Sequence, residues 1–502
     1  YYAENVRSQV IKMIGEEEFY TGGLTIITPL NSSYQKALAK AFTSGIRSYD
    51  EKYGYKGAIA KLNSLDNWKQ DLSKYINEPR LLEYEPAVVL ELLKDKVQIG
   101  LVNGEKDIIS LAQMKWAKSS LKSPQEILKV GDVIAVLKVN QGYGLKQIPK
   151  VDGAAIIMDV LDGRVLAMVS GYDYRGSKFD RATQAQRQPG SLIKPFIYLS
   201  ALEHNISPDT IFEDKPIEIY QGPGLPIYKP KNFKGDYLGP ITMRSALELS
   251  RNTVTVQIAK MVGLGSVAEI IKRYSINENP KKFYSMALGS LETTLDKITS
   301  AYGSIANGCH KISPHFIEMI KDRNGKIIYR RDQRTCFANC AANQANENQL
   351  PTISKGNFYS PLSDQRSCYY ITSMLQGVVE NGTAGSARKL GKAIAGKTGT
   401  SNDSKDTWFV GFTPKIVVGT YVGYDQPKDM GKRSTGATVT LPIFIKLMQD
   451  PVFAAQPNLQ FPQATNLAPF NQDGQNDQPA VIDPFEKMQQ EQNNPLPSVD
   501  VY

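Results

Sequence analysis

Apolar positions in residues 1–50 recur at helical spacing over Tyr2–Glu16 and Tyr34–Ile46, and a short apolar run, Thr21–Leu30, lies between them. Apolar residues that repeat every three or four positions form one face of an α-helix, whereas a short run bounded by glycine and proline is typical of a strand. This part of the chain is therefore predicted to fold as helix, strand and helix.

Residues 51–150 have a different pattern, in which short apolar runs are bounded by turn residues. The runs are Ala87–Leu92, Lys96–Lys106 and Lys129–Val139, and the second contains the turn pair Asn103-Gly104. Short strands at this spacing predict a small all-β module, which we interpret as a five-stranded, OB-like barrel. Such a barrel can bind oligonucleotides or sugars, and it can equally serve only for packing or docking.

Residues 151–450 begin and end with strands around a helical middle. A hairpin with an Asp162-Gly163 turn is predicted after Ala154, and helical spacing extends from Ser191 to Ser300 around a proline- and glycine-rich loop. Three further strands are predicted, at Lys397–Thr400, Trp408–Thr413 and Ile416–Tyr424. Strands on both sides of a helical segment indicate an α+β domain with one antiparallel sheet.

Composition and charge narrow the choice of partners. Residues 451–502 are rich in Gln, Asn, Pro and Asp and predict a disordered tail. The net charge of +9 suits an anionic ligand or surface, but the absence of a basic helix or basic repeat excludes nucleic acid as an expected partner. No apolar run approaches the ~18 residues of a membrane span, and because the sequence starts at Tyr1 it is expected to be a processed or excised piece.

The cysteines and histidines do not predict a metal site. The chain has four cysteines and three histidines, and none of their spacings is typical of zinc ligands, so no metal or other cofactor is expected. Cys336 and Cys340 form the one close pair. A local disulfide between them, in an oxidising compartment, is the predicted use of that pair.

The segment RQPGSLIKPFIYLSAL, residues 187–202, changes from turn residues to helical apolar spacing at Ser191. A helix is predicted to begin there, because Pro195 lacks an N–H and is tolerated only in a first turn. Free N–H groups and the helix dipole favour a developing anion at that position. Lys194 follows one turn later, and a desolvated lysine can take the proton of a serine nucleophile. The same tetrad spacing recurs at Ser33, Ser119 and Ser386, so it does not identify a site by itself.

Two further motifs follow along the chain. Ser250-Arg251-Asn252 lies where two helices are predicted to meet, and Lys397-Thr398-Gly399-Thr400 contains the only K-T-G of the sequence. Taken singly, the first can be a helix cap and the second an edge strand. As a catalytic set, the lysine supplies a charge, the threonines supply hydroxyls, and Gly399 would let a peptide-like substrate lie along the strand edge. The order S-x-x-K, S-x-N, K-T-G is that of penicillin-binding proteins and class A β-lactamases.

The resemblance to one of these families extends beyond the motifs. Segments that resemble the transpeptidase domain of class A penicillin-binding proteins are RATQAQRQPGSLIKPF, Ala287–Gly308, Gly377–Gly385 and Ala395–Pro414, and Tyr20–Ala41 resembles the linker before it. The resemblance covers 1–50 and 151–450, and 51–150 would match the barrel that members of the penicillin-binding protein 1A type insert there. It implies a penicilloyl-serine-transferase, β-lactamase-like fold. The family's upstream glycosyltransferase domain and membrane anchor lie outside this sequence, so glycan polymerisation is not expected of it.

The resemblance implies a serine D,D-transpeptidase that cross-links peptidoglycan stem peptides and is acylated by β-lactams. Ser191 would attack the carbonyl of a D-Ala-D-Ala peptide, and Lys194 would be its general base. Ser250 would relay a proton to the leaving amine. Asn252 would orient Lys194 and the substrate amide.

The K-T-G strand would bind the substrate's terminal carboxylate through Lys397, Thr398 and Thr400, with Gly399 between the threonines. The backbone N–H groups of Ser191 and Thr400 would form the oxyanion hole. The family also implies action at the periplasmic face of a bacterial inner membrane. Cell-wall synthesis proteins or outer-membrane lipoproteins would be partners of the 51–150 module. One departure from the family pattern is Cys309, which stands where a second glycine is expected.

Three other functions use the same acylation chemistry. A D,D-carboxypeptidase transfers the acyl group to water, and the family-like linker disfavours it. A serine β-lactamase needs a base for the deacylating water, for which Glu292 is the candidate, although its surroundings resemble the transpeptidases and favour a structural role. A non-enzymatic β-lactam sensor would stop after acylation, and the sequence contains no segment that resembles a signalling element.

Overall fold

The computed structural model describes residues 1–331, 361–431, 433–461 and 470. Its α-helices are α1 (Tyr2–Ile14), α2 (Glu16–Thr21), α3 (Ser32–Lys52), α4 (Trp68–Ser73), α5 (Lys194–Glu203), α6 (Met243–Glu248), α7 (Asn252–Val262), α8 (Leu264–Arg273), α9 (Leu295–Ala306), α10 (Gln365–Glu380), α11 (Thr440–Met448) and α12 (Pro451–Ala454). Short 3-10 helices lie at Leu111–Ala117, Pro124–Glu126, Gly190–Ile193, Tyr284–Leu288, Gly385–Leu390 and Asn402–Ser404.

The strands form a large sheet, a barrel and two small sheets. They are β1 (Thr25–Ile27), β2 (Ala60–Lys61), β3 (Glu85–Leu92), β4 (Lys96–Leu101), β5 (Lys106–Ser110), β6 (Asp132–Lys138), β7 (Tyr143–Lys146), β8 (Asp152–Asp159), β9 (Val165–Val169), β10 (Ile211–Asp214), β11 (Gly239–Thr242), β12 (Met319–Lys321), β13 (Ile327–Arg330), β14 (Ala395–Thr400), β15 (Asp406–Phe412) and β16 (Ile416–Gly423).

The large sheet has five antiparallel strands in the order β14-β15-β16-β8-β9. Strands from both ends of the domain therefore pair at its centre, where Ile416 of β16 lies opposite Asp159 of β8. Helices cover both faces: Gly419 packs against α9, whereas the next residue, Thr420, donates to a carbonyl of α11. Because β15 and β16 are covered on both faces, they are buried along their whole length. Strand β14 is left at the edge of the sheet.

The helical part of the domain surrounds α5, which α7, α8 and α10 contact. Almost every residue of α5 is buried, which explains why its sequence is apolar on all sides. Among the described residues, no single helix is long and apolar enough to cross a membrane. Helices α7 and α8, which meet at a bend of 98°, have the length and composition of a membrane span only when they are taken together. Both helices contribute buried residues to this core.

Residues 51–150 form the predicted barrel. The strand order is β2-β6-β3-β4-β5-β7, and β7 also pairs with β6, which closes five strands into a ring and leaves β2 outside on β6. The interior is a hydrophobic cluster of its own, separate from the core of the large domain; it includes Val89, Ile99, Ile109 and Val136. The prediction of a five-stranded barrel is confirmed.

Several elements differ from the sequence prediction. The strand expected over Thr21–Leu30 is shorter, and it pairs with β12 and β13 in a separate three-stranded sheet. Strands β10 and β11, which pair with each other on either side of the proline- and glycine-rich loop, were not predicted. They are only four residues long, and their pairing partners are distant in sequence.

The chain continues to pack on the large domain after residue 450, where the predicted domain ends. Helix α12 and the residues up to Phe461 continue the domain, because the side chains of Phe453 and Phe461 are buried in its core. The Phe470 ring also contacts Tyr370 of α10. The rest of the predicted disordered tail, residues 462–469 and 471–502, lies outside the described residues.

Candidate active site

Ser191 lies in the 3-10 turn Gly190–Ile193, which leads directly into α5. The backbone N–H of Lys194 donates to the carbonyl of Ser191, and side chains three residues apart eclipse one another in a 3-10 helix. Ser191 and Lys194 therefore share one face, as the tetrad predicts. Pro195 follows in the first turn of α5, where its missing N–H leaves no helical bond unmade.

Aromatic side chains from two other elements hold this turn. The hydroxyl of Tyr302, in α9, donates to the carbonyl of Leu192 at 2.7 Å. The indole N–H of Trp408, in β15, donates to the carbonyl of Gln188 at 3.0 Å. Both rings are almost fully buried, so the position of Ser191 is set by the core of the domain. Sequence reasoning did not predict either residue.

Tetrad spacing alone does not produce such a site. Ser386 and Lys389 have the same spacing and also lie in a 3-10 helix, Gly385–Leu390, but both side chains are exposed. Lys194, in contrast, is fully buried. The two tetrads differ in their surroundings, which local sequence does not encode.

Ser250 occupies a strained position at the end of α6. Its N–H donates to the carbonyl of Leu247, and the N–H of Arg251 donates to the carbonyl of Ala246, which together form a Schellman motif. The left-handed residue of this motif is usually glycine, but here it is Ser250, with φ of 58°. The strain, of the order of 1–3 kcal/mol, is typical of functional positions. It turns the hydroxyl of Ser250 towards the two buried lysines of the site.

The amine of Lys194 is enclosed by the S-x-N motif. Its Nζ lies 2.6 Å from the carbonyl oxygen of Ser250, 2.6 Å from Oδ1 of Asn252 and 3.3 Å from Oγ of Ser250. Burial lowers the pKa of Lys194 well below its ordinary value, and the positive charges of Lys397 and Arg251 lower it further. The site therefore favours the neutral amine.

A neutral amine at this position is a base with one available lone pair. Its two N–H groups are taken by the Ser250 carbonyl and by Oδ1 of Asn252, so the lone pair remains to accept a proton. The hydroxyl of Ser250 lies 3.3 Å from this amine, and Ser191 lies on the same face of the preceding turn.

The K-T-G strand adds a second buried lysine to the same cluster. Nζ of Lys397 donates to Oγ of Ser250 at 2.9 Å and to the carbonyl of Thr398 at 3.1 Å. Burial lowers the pKa of Lys397 to about 7. The hydroxyl of Ser250 thus lies between the amines of Lys194 and Lys397, and the structure brings all three motifs into one cleft.

Close backbone contacts join the edge strand to the serine turn. A Cβ on Gly399 would lie 2.5 Å from the carbonyl oxygen of Pro189, and one on Gly190 would lie 2.2 Å from that of Thr400. From the sequence, Gly399 was expected to leave room for the backbone of a substrate. In the structure, the backbone that lies against Gly399 is that of Pro189. These contacts bring Thr400 next to the start of the serine turn. The Thr400 hydroxyl accepts from the N–H of Gly436 at 3.1 Å, so its own proton is free to point elsewhere.

A loop before the S-x-N motif orients it, and sequence reasoning missed this loop. The side-chain amide of Asn252 donates to the carbonyl of Lys231 at 2.8 Å, which directs its Oδ1 to Lys194. Oδ1 of Asn232 accepts from the N–H of Asn252 at 2.8 Å. The buried carboxylate of Asp214 accepts from Arg251 and from Asn232. One feature of the sequence could have indicated this loop. Arg251 is a charged residue inside an apolar segment, and a buried arginine requires an acidic partner.

Glu292, the candidate base of a β-lactamase, lies next to Asn277 and apart from the two buried lysines. The side chain of Glu292 is exposed, and its carbonyl accepts from the side-chain amide of Asn277 at 2.9 Å. Asn277 belongs to the second S-x-N tripeptide of the chain.

Among the described residues, no group of three His, Cys, Asp or Glu side chains could hold a metal ion.

A disulfide joins Cys309 to Cys368, with their Cα atoms 5.9 Å apart. The sequence had not paired these residues, which are 59 positions apart. The predicted pair, Cys336 and Cys340, lies outside the described residues.

Comparison with known proteins assigns the chain to a family. Residues 153–449 match the family model of the penicillin-binding protein transpeptidase domain, and residues 55–151 match that of the penicillin-binding protein OB-like domain. The chain belongs to the penicillin-binding protein family. Its large domain is therefore a penicillin-binding transpeptidase domain, a member of a family of serine acyltransferases.

Individual relatives carry the same family name. The penicillin-binding protein 1A of Rickettsia bellii is 56% identical over 462 residues, which are 92% of this chain and 58% of that protein. That of Neisseria gonorrhoeae is 35% identical over 460 residues, 89% of this chain and 55% of that protein. The crystal structure of penicillin-binding protein 1A from Haemophilus influenzae has a TM-score of 0.79 at 28% identity and covers 93% of this chain and 71% of its own. The chain spans less than two thirds of the curated relatives' length.

These matches confirm two expectations from the sequence. The chain resembles class A penicillin-binding proteins of the 1A type, and it has the penicilloyl-serine-transferase fold with an inserted OB-like barrel. A transpeptidase domain of this family is consistent with peptidoglycan transpeptidation.

Proposed function

We propose that this domain is a D,D-transpeptidase that cross-links peptidoglycan stem peptides through an acyl-enzyme on Ser191. The observation that carries the proposal is the buried amine of Lys194, whose pKa is lowered and whose N–H donors are already paired, one turn from Ser191. A serine hydroxyl becomes a useful nucleophile only when such a base takes its proton.

In the first step, Oγ of Ser191 attacks the carbonyl between two D-Ala residues while its proton passes to Nζ of Lys194. The N–H groups of Ser191 and Thr400 would hold the resulting oxyanion. Ser250, whose hydroxyl contacts both lysines, would deliver a proton to the amine of the terminal D-Ala. The C–N bond then breaks, D-Ala leaves, and the rest of the peptide remains as an ester on Ser191.

In the second step, an amine of a neighbouring stem peptide attacks the ester, and its proton returns to Oγ of Ser191 through the same groups. The cross-link is the new amide bond. A β-lactam would acylate Ser191 in the same way, but its leaving amine stays attached to the opened ring. Lys397, Thr398 and Thr400 would bind the carboxylate that the peptide and a penicillin share.

The rival functions differ after acylation. The side chain of Glu292 is exposed, which disfavours it as the base for the deacylating water of a β-lactamase. A D,D-carboxypeptidase would release D-Ala without forming a cross-link, and a sensor would release none. The family model that matches residues 153–449 is that of a transpeptidase domain, which favours the transpeptidase among these.

Labelling by a fluorescent penicillin tests the proposal. Ser191→Ala should abolish the covalent adduct, because the attacking oxygen is removed, and intact mass should show no addition over hours. Ser386→Ala is the matched control, since it removes the serine of an equally spaced but exposed tetrad, and it should label like the wild type. Wild-type labelling of Ser191→Ala would move the nucleophile elsewhere. An assay of D-Ala release and cross-linked product then separates the transpeptidase from its rivals.

The site of action and the partners follow from the same proposal. We assign the chain to the periplasmic face of a bacterial inner membrane, where stem peptides and β-lactams are encountered. The barrel at 51–150 would dock cell-wall synthesis proteins or an outer-membrane lipoprotein. Its own core and ring closure support a module that can carry a binding surface.

A further inference from the structure

Thr383, in the turn after α10, contacts two of the three motif regions. Its N–H donates to the carbonyl of Glu248 at 3.1 Å, at the end of α6 and two residues before Ser250. Its hydroxyl lies 2.9 Å from the hydroxyl of Thr398, in the K-T-G strand. One residue outside the motifs therefore spans from the S-x-N side of the cleft to the K-T-G side.

The turn is packed tightly against α6. A Cβ on Gly382 would lie 2.2 Å from the carbonyl oxygen of Glu248, so the backbone before Thr383 has no room to shift. The guanidinium of Arg244, in α6, also donates to Ser373 of α10 at 3.1 Å. Thr383 is β-branched, and the few rotamers open to such a side chain keep its hydroxyl in place.

The direction of the hydroxyl bond decides what Thr398 can offer to a ligand. If Thr398 donates to Thr383, its only proton is used inside the protein. If Thr383 donates to Thr398, the proton of Thr398 is free to point into the cleft. A carboxylate only accepts hydrogen bonds, so it selects the second arrangement, in which each bond polarises the next.

We propose that Thr383 is a positioning residue for carboxylate recognition, which it achieves by donating to Thr398 and holding the K-T-G strand against the end of α6. The inference rests on the proposed function, in which Thr398 binds the substrate carboxylate. Within the part of the chain that the structure describes, the hydrogen bonds of Thr383 go to Glu248 and Thr398, and to neither Ser191 nor the two buried lysines. Its effect should therefore fall on binding of the carboxylate and leave the attack on the carbonyl unchanged.

The test compares Thr383→Val with the wild type on two matched probes, a penicillin and its methyl ester, which lacks the free carboxylate. Valine keeps the shape and removes the hydroxyl. The second-order rate constant of acylation should fall about 3- to 10-fold for the penicillin, the range of one net hydrogen bond, and about 2-fold or less for the ester. Thr383→Ser keeps the hydroxyl and should restore the wild-type ratio of the two rates.

Thr372→Val is the matched control for the variant. Thr372 lies on α10 with a similar degree of burial, but its hydroxyl donates to the carbonyl of Cys368 in its own helix, at 2.8 Å. It should acylate like the wild type with both probes. Equal losses on penicillin and ester in Thr383→Val would show a structural role, and no loss would show no role; either result overturns the inference alone. A wild type that is not acylated at Ser191 overturns the proposed function and the inference with it.

Discussion

The two buried lysines of the cleft share one hydroxyl, since Nζ of Lys397 lies 2.9 Å and Nζ of Lys194 3.3 Å from Oγ of Ser250. Two ammonium groups at this separation repel each other, and burial opposes the charged form of both. Lys194 also faces the positive charge of Arg251, which lowers its pKa further and favours the neutral form of this lysine. Lys397, with a pKa of about 7, can take up a proton when a carboxylate arrives.

This division of charge predicts two limbs in the pH profile of acylation. Lys194 acts as a base only when neutral, so the second-order rate constant should fall as pH drops through its lowered pKa. Lys397 attracts a carboxylate only when protonated, so the rate with a penicillin should also fall as pH rises through about 7. The measurement is stopped-flow acylation of the free enzyme across the pH range.

The methyl ester of the same penicillin is the control for the alkaline limb. Because it has no carboxylate for Lys397, it should keep the acid limb and lose the alkaline one. Identical profiles for the two probes would mean that Lys397 serves the proton transfer through Ser250 rather than the carboxylate. A rate that is flat on the acid side would contradict a lysine base.

At the scale of elements, the Cys309–Cys368 disulfide ties the turn after α9 to the first turn of α10. Cys309 has φ of 62°, a left-handed conformation that glycine adopts without strain, and glycine is the residue that the family pattern places there. Helix α10 in turn packs against α5 and β14, which carry two of the motifs. The disulfide therefore helps to hold α10 against the two elements that carry these motifs.

We expect reduction of this disulfide to lower the free energy of unfolding. For a loop of 59 residues, the loss of chain-entropy restriction corresponds to about 4 kcal/mol. Urea denaturation with and without a reductant measures the change, and Cys368→Ala should no longer respond to the reductant. Peptide mapping under non-reducing conditions should find Cys309 linked to Cys368. Alkylation of both residues as free thiols would contradict the pairing.

At the scale of the whole molecule, Arg80 holds the barrel to the transpeptidase domain. Its guanidinium donates to the carbonyls of Pro149 and Val151 and pairs with Asp152, the first residue of β8. The backbone N–H of Arg80 donates to the carboxylate of Asp173 at 2.8 Å. The contacts converge where the chain passes from the barrel into the large sheet, so this arginine is one of the side chains that join the two parts.

Loss of Arg80 should therefore destabilise the junction. Arg80→Ala leaves the nearly buried carboxylate of Asp152 with fewer partners, and we expect a loss of about 2–3 kcal/mol in the free energy of unfolding. Arg175→Ala is the matched control, because its side chain is 58% exposed and its ion pair with Asp173 is worth only ~0–1 kcal/mol. Urea denaturation and limited proteolysis of the junction compare the two. Equal stability of both variants would show that other contacts hold the barrel.

The family, the domain type and most of the elements near the site follow from the sequence alone. The hairpin β8–β9, the strands β14 to β16, the barrel and the helix after Ser191 all follow from the spacing of apolar and turn residues within a few positions of one another. Such signals are local, because the periods of helix and strand are set by the backbone. The order of the three motifs along the chain carried the resemblance for the same reason.

Which residues meet across the cleft depends on the tertiary fold. The enclosure of Lys194, the strain at Ser250, the loop contacts of Asn232, the Thr383 bridge and the Cys309 disulfide all join segments far apart in sequence. Their neighbours depend on how whole elements pack, and no periodicity records that. The two S-x-x-K tetrads at Ser191 and Ser386 show the limit. Both lie in 3-10 turns, but only Lys194 is buried next to Lys397 and Arg251, which together with burial lower its pKa.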